Sequence, residues 1–194
     1  MEVNGVTYTA GDGHLVDNGD GSWTLTIPIS DALPEGLFDV MVTVTDAAGN
    51  SSSESSTDEL TIDLTPPPTP TITNLLTNSS TPTLSGTATL VSGDIFTVEV
   101  NNVIYTVGDG HLIDNGDGSW DLTIPVGNVL DESTYDVVAS VSDAAGNVSS
   151  DTTSNELIID LTPPPAPGVT SQTCLLYTSP SPRDATLSRM PSSA

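Results

Sequence analysis

The chain has 194 residues, which is enough for one or two modest domains, and 26 acidic residues face only two basic ones, giving a net charge of −24. Because so few basic side chains are available to pair with phosphates, this composition excludes nucleic acids and anionic membrane surfaces as partners. It favours cations as partners. The sequence contains no apolar run near the roughly 18 residues that a membrane-spanning helix requires, so membrane insertion is not expected.

The sequence repeats itself with a period of 97 residues. The segment EVNGVTYTAGDGHLVDNGDGSWTLTIP at Glu2 returns as EVNNVIYTVGDGHLIDNGDGSWDLTIP at Glu99. Aligned without a gap, residues 2–73 and 99–170 are identical at 45 of 72 positions. Similarity at a fixed period indicates a tandem array of one structural unit.

The register of the repeat divides the chain into four parts. Residues 1–65 correspond to the C-terminal part of one unit, 66–162 to a complete unit, and 163–173 to the start of a third. Met1 aligns with an apolar strand position of the complete unit, so we expect the chain to be a fragment of a longer gene product. The last part, 174–194, has no counterpart in the repeat.

In the complete unit, short β-branched and aromatic runs are separated by Gly, Pro, Asn and Asp, a pattern that favours strands over helices. Seven strands are predicted, near Thr71–Asn74, Thr81–Ala88, Ile95–Val100, Val103–Val107, Ser119–Ile124, Thr134–Ser142 and Glu156–Leu161. About seven short strands in about 100 residues are typical of an immunoglobulin-like (Ig-like) β-sandwich. The predicted fold class is therefore all-β, with tandem sandwiches of which the first is incomplete.

Alternation along these strands predicts which side chains fill the core. The expected core residues are Ile95, Val98, Tyr105, Trp120, Leu122, Val137, Val141, Leu157 and Ile159. Two segments, VNNV and DNGDGSW, are predicted to be hairpin turns, because Asn and Gly tolerate the positive φ that tight hairpins require.

Four motifs of the repeat resemble a known family. SWDLTIP, VSDAAGN, IDLTPPPAP and TPTLSGTA are similar to the bacterial Ig-like repeats of biofilm-associated surface proteins and giant secreted adhesins, the group that includes RTX adhesins exported by type I secretion. The resemblance covers residues 1–173. It implies a secreted or cell-surface row of Ig-like domains that holds a distant adhesive domain away from the cell, with neighbouring repeats as partners and Ca²⁺ at the junctions. A host or biofilm ligand would be bound by other domains.

Residues 174–194 contain the only cysteine and both arginines of the chain. Back-translated in one frame, the segment resembles the adapter of transposase-made sequencing libraries, so we interpret it as a non-native, disordered tail and exclude it from the fold. The remaining chain has no cysteine for a disulfide and no lysine for an isopeptide cross-link. Its rigidity is therefore expected to come from packing, proline and metal.

Strand parity predicts which loops meet where two sandwiches join. In an Ig-like domain the loop between the last two strands faces the preceding domain, and the last strand exits toward the next. Asp63, at the exit of the first unit, should therefore approach Asp143 and Asn147 in DAAGN of the second, with Asp94 at the same end. Hard oxygen ligands of this kind suit Ca²⁺, so a junction calcium site is predicted. A simple turn also explains DAAGN.

The same pattern predicts half-sites at the two ends of the array. Asp46 and Asn50 lack an upstream partner, and Asp160 lacks a downstream one. When Asp184 of the tail is set aside from the 26 acids, 25 uncompensated acids remain, and bound dications would reduce their mutual repulsion. Screening by a salt-rich medium would have a similar effect.

The sequence offers no catalytic constellation, because it contains no Ser, His and Asp set in plausible proximity and no spacing typical of a paired acid and base. The chain is therefore predicted not to be an enzyme. Two other functions stay open: a module that binds glycan or protein through Trp120 or the acidic loops, and an accessory domain of a secreted enzyme. An exposed tryptophan beside a groove would favour the binding module.

Overall fold

The computed structural model describes residues 1–168, and strands dominate them. The predicted tail, 174–194, and residues 169–173 of the predicted third unit lie outside the described residues. Residues 163–168 contain no regular secondary structure. The all-β class predicted from the alternating pattern is confirmed.

The first repeat contains eight short strands. They are β1 (Glu2–Val3), β2 (Val6–Thr7), β3 (Leu15–Asp17), β4 (Trp23–Leu25), β5 (Gly36–Phe38), β6 (Val40–Thr45), β7 (Ser51–Ser55) and β8 (Leu60–Ile62). A single turn of 3-10 helix, Ile29–Asp31, follows β4. The strands pair in the order β2-β1-β6-β7, with β3-β4 and β5-β8 as separate two-stranded ladders.

The second repeat contains eleven strands. They are β9 (Thr71–Ile72), β10 (Leu75–Thr77), β11 (Thr83–Thr87), β12 (Ile95–Val100), β13 (Val103–Thr106), β14 (Leu112–Asp114), β15 (Ser119–Thr123), β16 (Ser133–Tyr135), β17 (Val137–Ser142), β18 (Val148–Ser150) and β19 (Leu157–Ile159). A 3-10 turn, Val126–Asn128, matches that of the first repeat.

Three sheets enclose the core of the second repeat. Sheet I has the order β14-β15-β11-β9, sheet II the order β13-β12-β17-β18, and sheet III the order β10-β19-β16. Sheets II and III are joined by the chain, because β16 leads into β17 across Asp136. The β10–β19 pair is parallel, with Leu75 opposite Leu157, whereas the other ladders are antiparallel.

The two predicted hairpin turns are confirmed. Asn101 and Asn102, with φ of 51° and 62°, connect β12 to β13. In the second turn the Asn115 N–H donates to the Ser119 carbonyl at 3.0 Å, closing the β14–β15 hairpin. A tyrosine corner is present as well, since the Tyr135 hydroxyl donates to the Asp131 carbonyl oxygen at 3.1 Å.

The core of the second repeat is one cluster of apolar side chains from all three sheets. Eight of the nine predicted core residues are buried in it, and Trp120 packs against Phe96 with ring centroids 5.7 Å apart. The prediction of Ile95 was wrong, because Ile95 is 56% exposed whereas Phe96 is 1% exposed. Side chains alternate along a strand, so the inward Val98 and Val100 of β12 also turn Phe96 inward.

The predicted strand pattern was too simple in three places. Strands β10, β14 and β18 were not predicted, and the single predicted strand at Thr134–Ser142 is divided into β16 and β17. At this division the buried side chain of Glu156 replaces a backbone acceptor: its Oε2 accepts the Val137 N–H at 3.0 Å. The Glu156 carboxylate thus connects sheets II and III.

The first repeat has no counterpart of β9, β10 or β11, and its inner face is correspondingly uncovered. Trp23 is 47% exposed, whereas its counterpart Trp120 is 1% exposed. Val44 is 70% exposed, whereas Val141 is fully buried. In this repeat the buried apolar side chains are only Val3 and Tyr8, so burial contributes far less to its stability than to that of the second repeat.

We expect the first repeat to be digested before the second. Chymotrypsin should cut first near the exposed Trp23 and Leu37, because weakly packed strands open locally more often than strands of a closed core. Mass spectrometry of a time course would identify the fragments. Trypsin serves as the control, since no Lys or Arg precedes Arg183. Equal protection of both repeats from chymotrypsin would contradict the expectation.

Candidate functional site

The DAAGN loop, residues 143–147, is a hairpin between β17 and β18. Asp143 closes it with both backbone and side chain: its N–H donates to the Asn147 carbonyl at 3.0 Å, and its Oδ1 accepts the N–H groups of Ala145 and Asn147, each at 2.9 Å. Gly146 has a φ of 94°, a conformation that favours glycine. This loop has the geometry of the simple turn considered above.

The Asn147 side chain also reaches the preceding repeat. Its Nδ2 donates to Asp143 Oδ2 at 2.9 Å and to the backbone carbonyl oxygen of Asp63 at 3.0 Å. The hydrogen bond from the Asn147 side-chain amide lowers the pKa of the Asp143 carboxyl, and hydrogen bonds from backbone N–H groups lower it further. This carboxylate therefore stays ionised near neutral pH. The predicted approach of Asp63 to DAAGN is thus present, through the backbone rather than the carboxylate.

The first repeat carries the same loop without an upstream partner in the described residues. Asp46 Oδ1 accepts the N–H groups of Ala48 at 2.9 Å and Asn50 at 2.8 Å, and Asn50 Nδ2 donates to Asp46 Oδ2 at 2.8 Å. The pKa of Asp46 is lowered chiefly by that Asn50 bond. The two loops therefore differ in the contact that Asn147 makes with Asp63.

Two further predicted ligands, Asp94 beside the junction and Asp160 at the exit of the second repeat, are engaged in local hydrogen bonds. Asp94 Oδ2 accepts the Val91 N–H at 2.9 Å, and its loop lies against the DAAGN loop, since a Cβ on Gly93 would be 3.4 Å from the Ala144 Cβ. The Oδ1 atom of Asp160 accepts the Thr162 N–H at 3.0 Å. Within residues 1–168, no three His, Cys, Asp or Glu side chains come together closely enough to hold a metal.

Sequence reasoning missed two glutamates that brace the exit segments. Glu132 accepts the hydroxyl of Thr162 at 2.8 Å and the N–H of Leu161 at 3.1 Å. Its counterpart Glu35 accepts the hydroxyl of Thr65 at 2.6 Å. Each pair is 30 residues apart in sequence, and only their recurrence in both repeats could have indicated them. These bonds fix the chain where it enters each proline-rich connector.

The binding surface considered for Trp120 is not present in the complete repeat. The indole of Trp120 is enclosed between Phe96 and β11, and its Nε1 is buried without a hydrogen-bond partner. A buried ring offers no face for stacking against a sugar.

Among the described residues, no helix has both the length and the apolar character needed to cross a bilayer.

Comparison with known proteins supports the assignment of the fold. A search of curated proteins finds no match. A family model described as "Bacterial Ig-like domain" matches residues 2–64 and again residues 71–161. These matches cover more than half of the chain and coincide with the two repeats whose strands are described above. The chain therefore belongs to the bacterial Ig-like domain family, whose model it matches twice in succession, first with an incomplete repeat and then with a complete one.

Proposed function

We propose that this chain is a spacer segment of a bacterial surface adhesin, in which successive Ig-like repeats hold a distal binding domain away from the cell. The main support for this proposal is the hydrogen bond from Asn147 Nδ2 to the Asp63 carbonyl oxygen, because it connects a loop of one repeat to the exit of the preceding repeat. Domains of this family are common in extracellular and surface proteins. A spacer needs defined junctions, and this contact supplies one.

The proline-rich connector supports the same function. Between β8 and β9 the chain runs through Pro66, Pro67, Pro68 and Pro70, whose fixed φ limits the conformations of the linker. Glu35 accepts a hydrogen bond from the hydroxyl of Thr65, the residue just before this run. The connector is thus restrained at its start and stiff along its length, as a spacer requires.

The junction contact can be tested by removing the Asn147 side chain. We expect Asn147→Ala to widen the distribution of overall dimensions measured by small-angle scattering on the full chain, because the bond to Asp63 is lost. The matched control is Asn50→Ala, which removes only the bond within its own loop. If the scattering profiles of both variants match that of the unchanged chain, the junction contact does not restrain the repeats and the spacer proposal loses its support.

We further propose that Ca²⁺ strengthens this junction. The donor set fits a hard cation in its chemistry, because Asp143 supplies an ionised carboxylate and Asp63 a carbonyl oxygen. Both oxygens accept hydrogen bonds from Asn147 Nδ2, which the ion would replace, while Asn147 Oδ1 and Asp94 would supply further oxygens. The ion would exchange the Asn147 hydrogen bond for coordination by both repeats and would reduce the repulsion among their acids. Asp46, Asn50 and Asp160 would form equivalent sites with repeats outside this chain.

Calcium binding is tested by calorimetric titration of the full chain. We expect heat of binding and a higher melting temperature in millimolar Ca²⁺. Asp143→Ala should remove most of the effect, whereas Asp117→Ala should leave it intact, since Asp117 caps the β14–β15 turn through Ser119. The absence of heat and of any thermal shift would reject the calcium proposal while leaving the Asn147 contact to be judged by scattering.

A further inference from the structure

The sequence contains three Asn-x-Ser sequons, which begin at Asn50, Asn78 and Asn147. This tripeptide is the acceptor signal for N-linked sugars on the surfaces of secreted proteins. Sugar transfer joins the sugar to the side-chain nitrogen Nδ2, so the reaction requires an exposed Nδ2 that is not engaged elsewhere. The structure places the three Nδ2 atoms in different surroundings.

Two of these asparagines are bound by a carboxylate of their own loop. Asn50 Nδ2 donates to Asp46 Oδ2 at 2.8 Å, and Asn147 Nδ2 donates to Asp143 Oδ2 at 2.9 Å and to the Asp63 carbonyl oxygen at 3.0 Å. Asn147 is also half-buried. A transferase would have to break these bonds and bring an anionic sugar donor against a carboxylate, which repels it. Both asparagines are therefore poor acceptors in the folded protein.

Asn78 lies in the loop between β10 and β11, and it is exposed to solvent. The side-chain hydrogen bonds of this loop are made by its neighbours: Thr77 Oγ1 accepts the Ser79 N–H at 3.1 Å, and Ser79 Oγ accepts the Thr81 N–H at 3.2 Å. No described residue accepts a hydrogen bond from the Asn78 amide. Residues 64–93 contain no charged side chain, so the flanking chain does not repel an anionic donor.

The loop that carries Asn78 is fixed at the exit end of the second repeat. The Ser80 carbonyl accepts the Leu130 N–H at 2.9 Å, which connects the loop to the segment that leads to Glu132. Glu132 in turn accepts the hydroxyl of Thr162 at 2.8 Å. A sugar on Asn78 would therefore stand on the end of the repeat from which the chain leaves.

We propose that Asn78 is the acceptor of an N-linked sugar, which a transferase adds to the folded second repeat from a nucleoside diphosphate sugar. In this step the bond between sugar C1 and the phosphate oxygen breaks, and a bond between C1 and Asn78 Nδ2 forms. The nitrogen loses one proton, and the nucleoside diphosphate leaves. The site depends neither on the junction contact of Asn147 nor on Ca²⁺.

The test incubates the folded full chain with UDP-glucose and a purified N-glycosyltransferase that recognises Asn-x-Ser/Thr. Mass spectrometry of chymotryptic peptides then locates the added hexose. We expect Asn78 to be glucosylated about tenfold faster than Asn50 or Asn147, because each of these must first give up a hydrogen bond to a carboxylate. Synthetic peptides of residues 47–53, 75–81 and 144–150, all of them uncharged, should accept glucose at similar rates, since they lack the fold.

Two adjacent serines provide matched variants of the full chain. Ser80→Ala removes the hydroxyl residue of the sequon and should abolish the modification of Asn78. Ser79→Ala leaves an intact Asn-Ala-Ser sequon and should be modified like the unchanged chain. Both serines are half-buried in the same loop, so the two variants differ chiefly in the sequon.

Three outcomes would overturn the proposal. One is the absence of glucose on Asn78 of the folded chain when the peptide of residues 75–81 is glucosylated. Another is an equal rate at all three asparagines of the folded chain, which would show that the fold does not select Asn78. The third is loss of the modification in Ser79→Ala as complete as in Ser80→Ala, which would show that the sequon is not what the transferase recognises here.

Discussion

Replacing Gly86 with alanine is expected to lower the free energy of unfolding of the second repeat by about 3 kcal/mol, at the upper end of what overpacking usually costs. The added methyl would lie 2.7 Å from Trp120 Cζ2 and 2.8 Å from Cε2, and it would also meet the Thr71 carbonyl oxygen. The indole cannot move away easily, because Phe96 packs on it. To fit the methyl, β11 must separate from β9 or from the ring, and either movement breaks sheet I.

The measurement is urea unfolding in a Trp23→Phe background, in which fluorescence reports on Trp120 alone. Gly127→Ala is the matched control, since a Cβ there would meet nothing within 4 Å and Gly127 is not among the glycines with positive φ. It should unfold at about the same urea concentration as the background protein. A Gly86→Ala variant as stable as this control would show that the strand and the ring are not in tight contact.

Replacing Glu156 with alanine is expected to destabilise the second repeat by about 2–3 kcal/mol, because a buried donor loses its acceptor. Glu156 is 1% exposed, and its Oε2 is the acceptor for the Val137 N–H. In the variant this N–H would stay buried without a partner at the division between sheets II and III. Glu156→Gln should recover part of the loss, since its amide oxygen can accept the same bond.

The first repeat provides the control for this prediction. Glu59 Oε2 accepts the Val40 N–H at 3.0 Å in the same way, yet Glu59 is exposed to solvent. Water can replace the carboxylate there, so Glu59→Ala should change the stability of the chain little. Urea unfolding followed by far-ultraviolet circular dichroism, which reports on the strands of both repeats, compares the variants. Equal effects of Glu156→Ala and Glu59→Ala would show that burial of the carboxylate is not the cause.

The main architecture could be predicted from the sequence because it rests on periodic features. The 97-residue repeat, the alternation of apolar residues and the Asn-Gly turns are each local and independent of tertiary context. The predicted positions of Trp120 and Leu122 in the core followed from them and are confirmed. The prediction that Ile95 is buried was wrong because Ile95 and Phe96 are two adjacent apolar residues, and alternation places only one of them in the core.

The role of Glu156 could not be predicted in this way. A glutamate at the start of a strand normally faces solvent. Only the break between β16 and β17 creates a buried N–H group that can donate a hydrogen bond to Glu156. The split itself follows from the pairing of β16 with β19 and of β17 with β12, which depends on contacts distant in sequence. Pattern within a short window contains no information on such pairing.

The junction was predicted in its location but not in its chemistry. Asp63 lies at Asn147 as expected, because in an Ig-like array the exit of one domain meets the loop before the last strand of the next. The atom that Asn147 contacts is the Asp63 carbonyl, however, and every residue type carries one. Residue identity therefore could not distinguish a backbone contact from a carboxylate ligand. Whether Asp143 and Asp94 also bind Ca²⁺ stays a prediction for calorimetry.

The parallel pairing of β10 with β19 determines how the second repeat would respond to tension. The chain enters through β9 and then β10 and leaves just after β19, and Leu75–Thr77 lie beside Leu157–Ile159 in the same direction. A pull on the two ends would slide these strands past each other, so their hydrogen bonds would be stretched together rather than opened one after another. A fold loaded in shear resists a pull along the chain better than one whose strands can be unzipped.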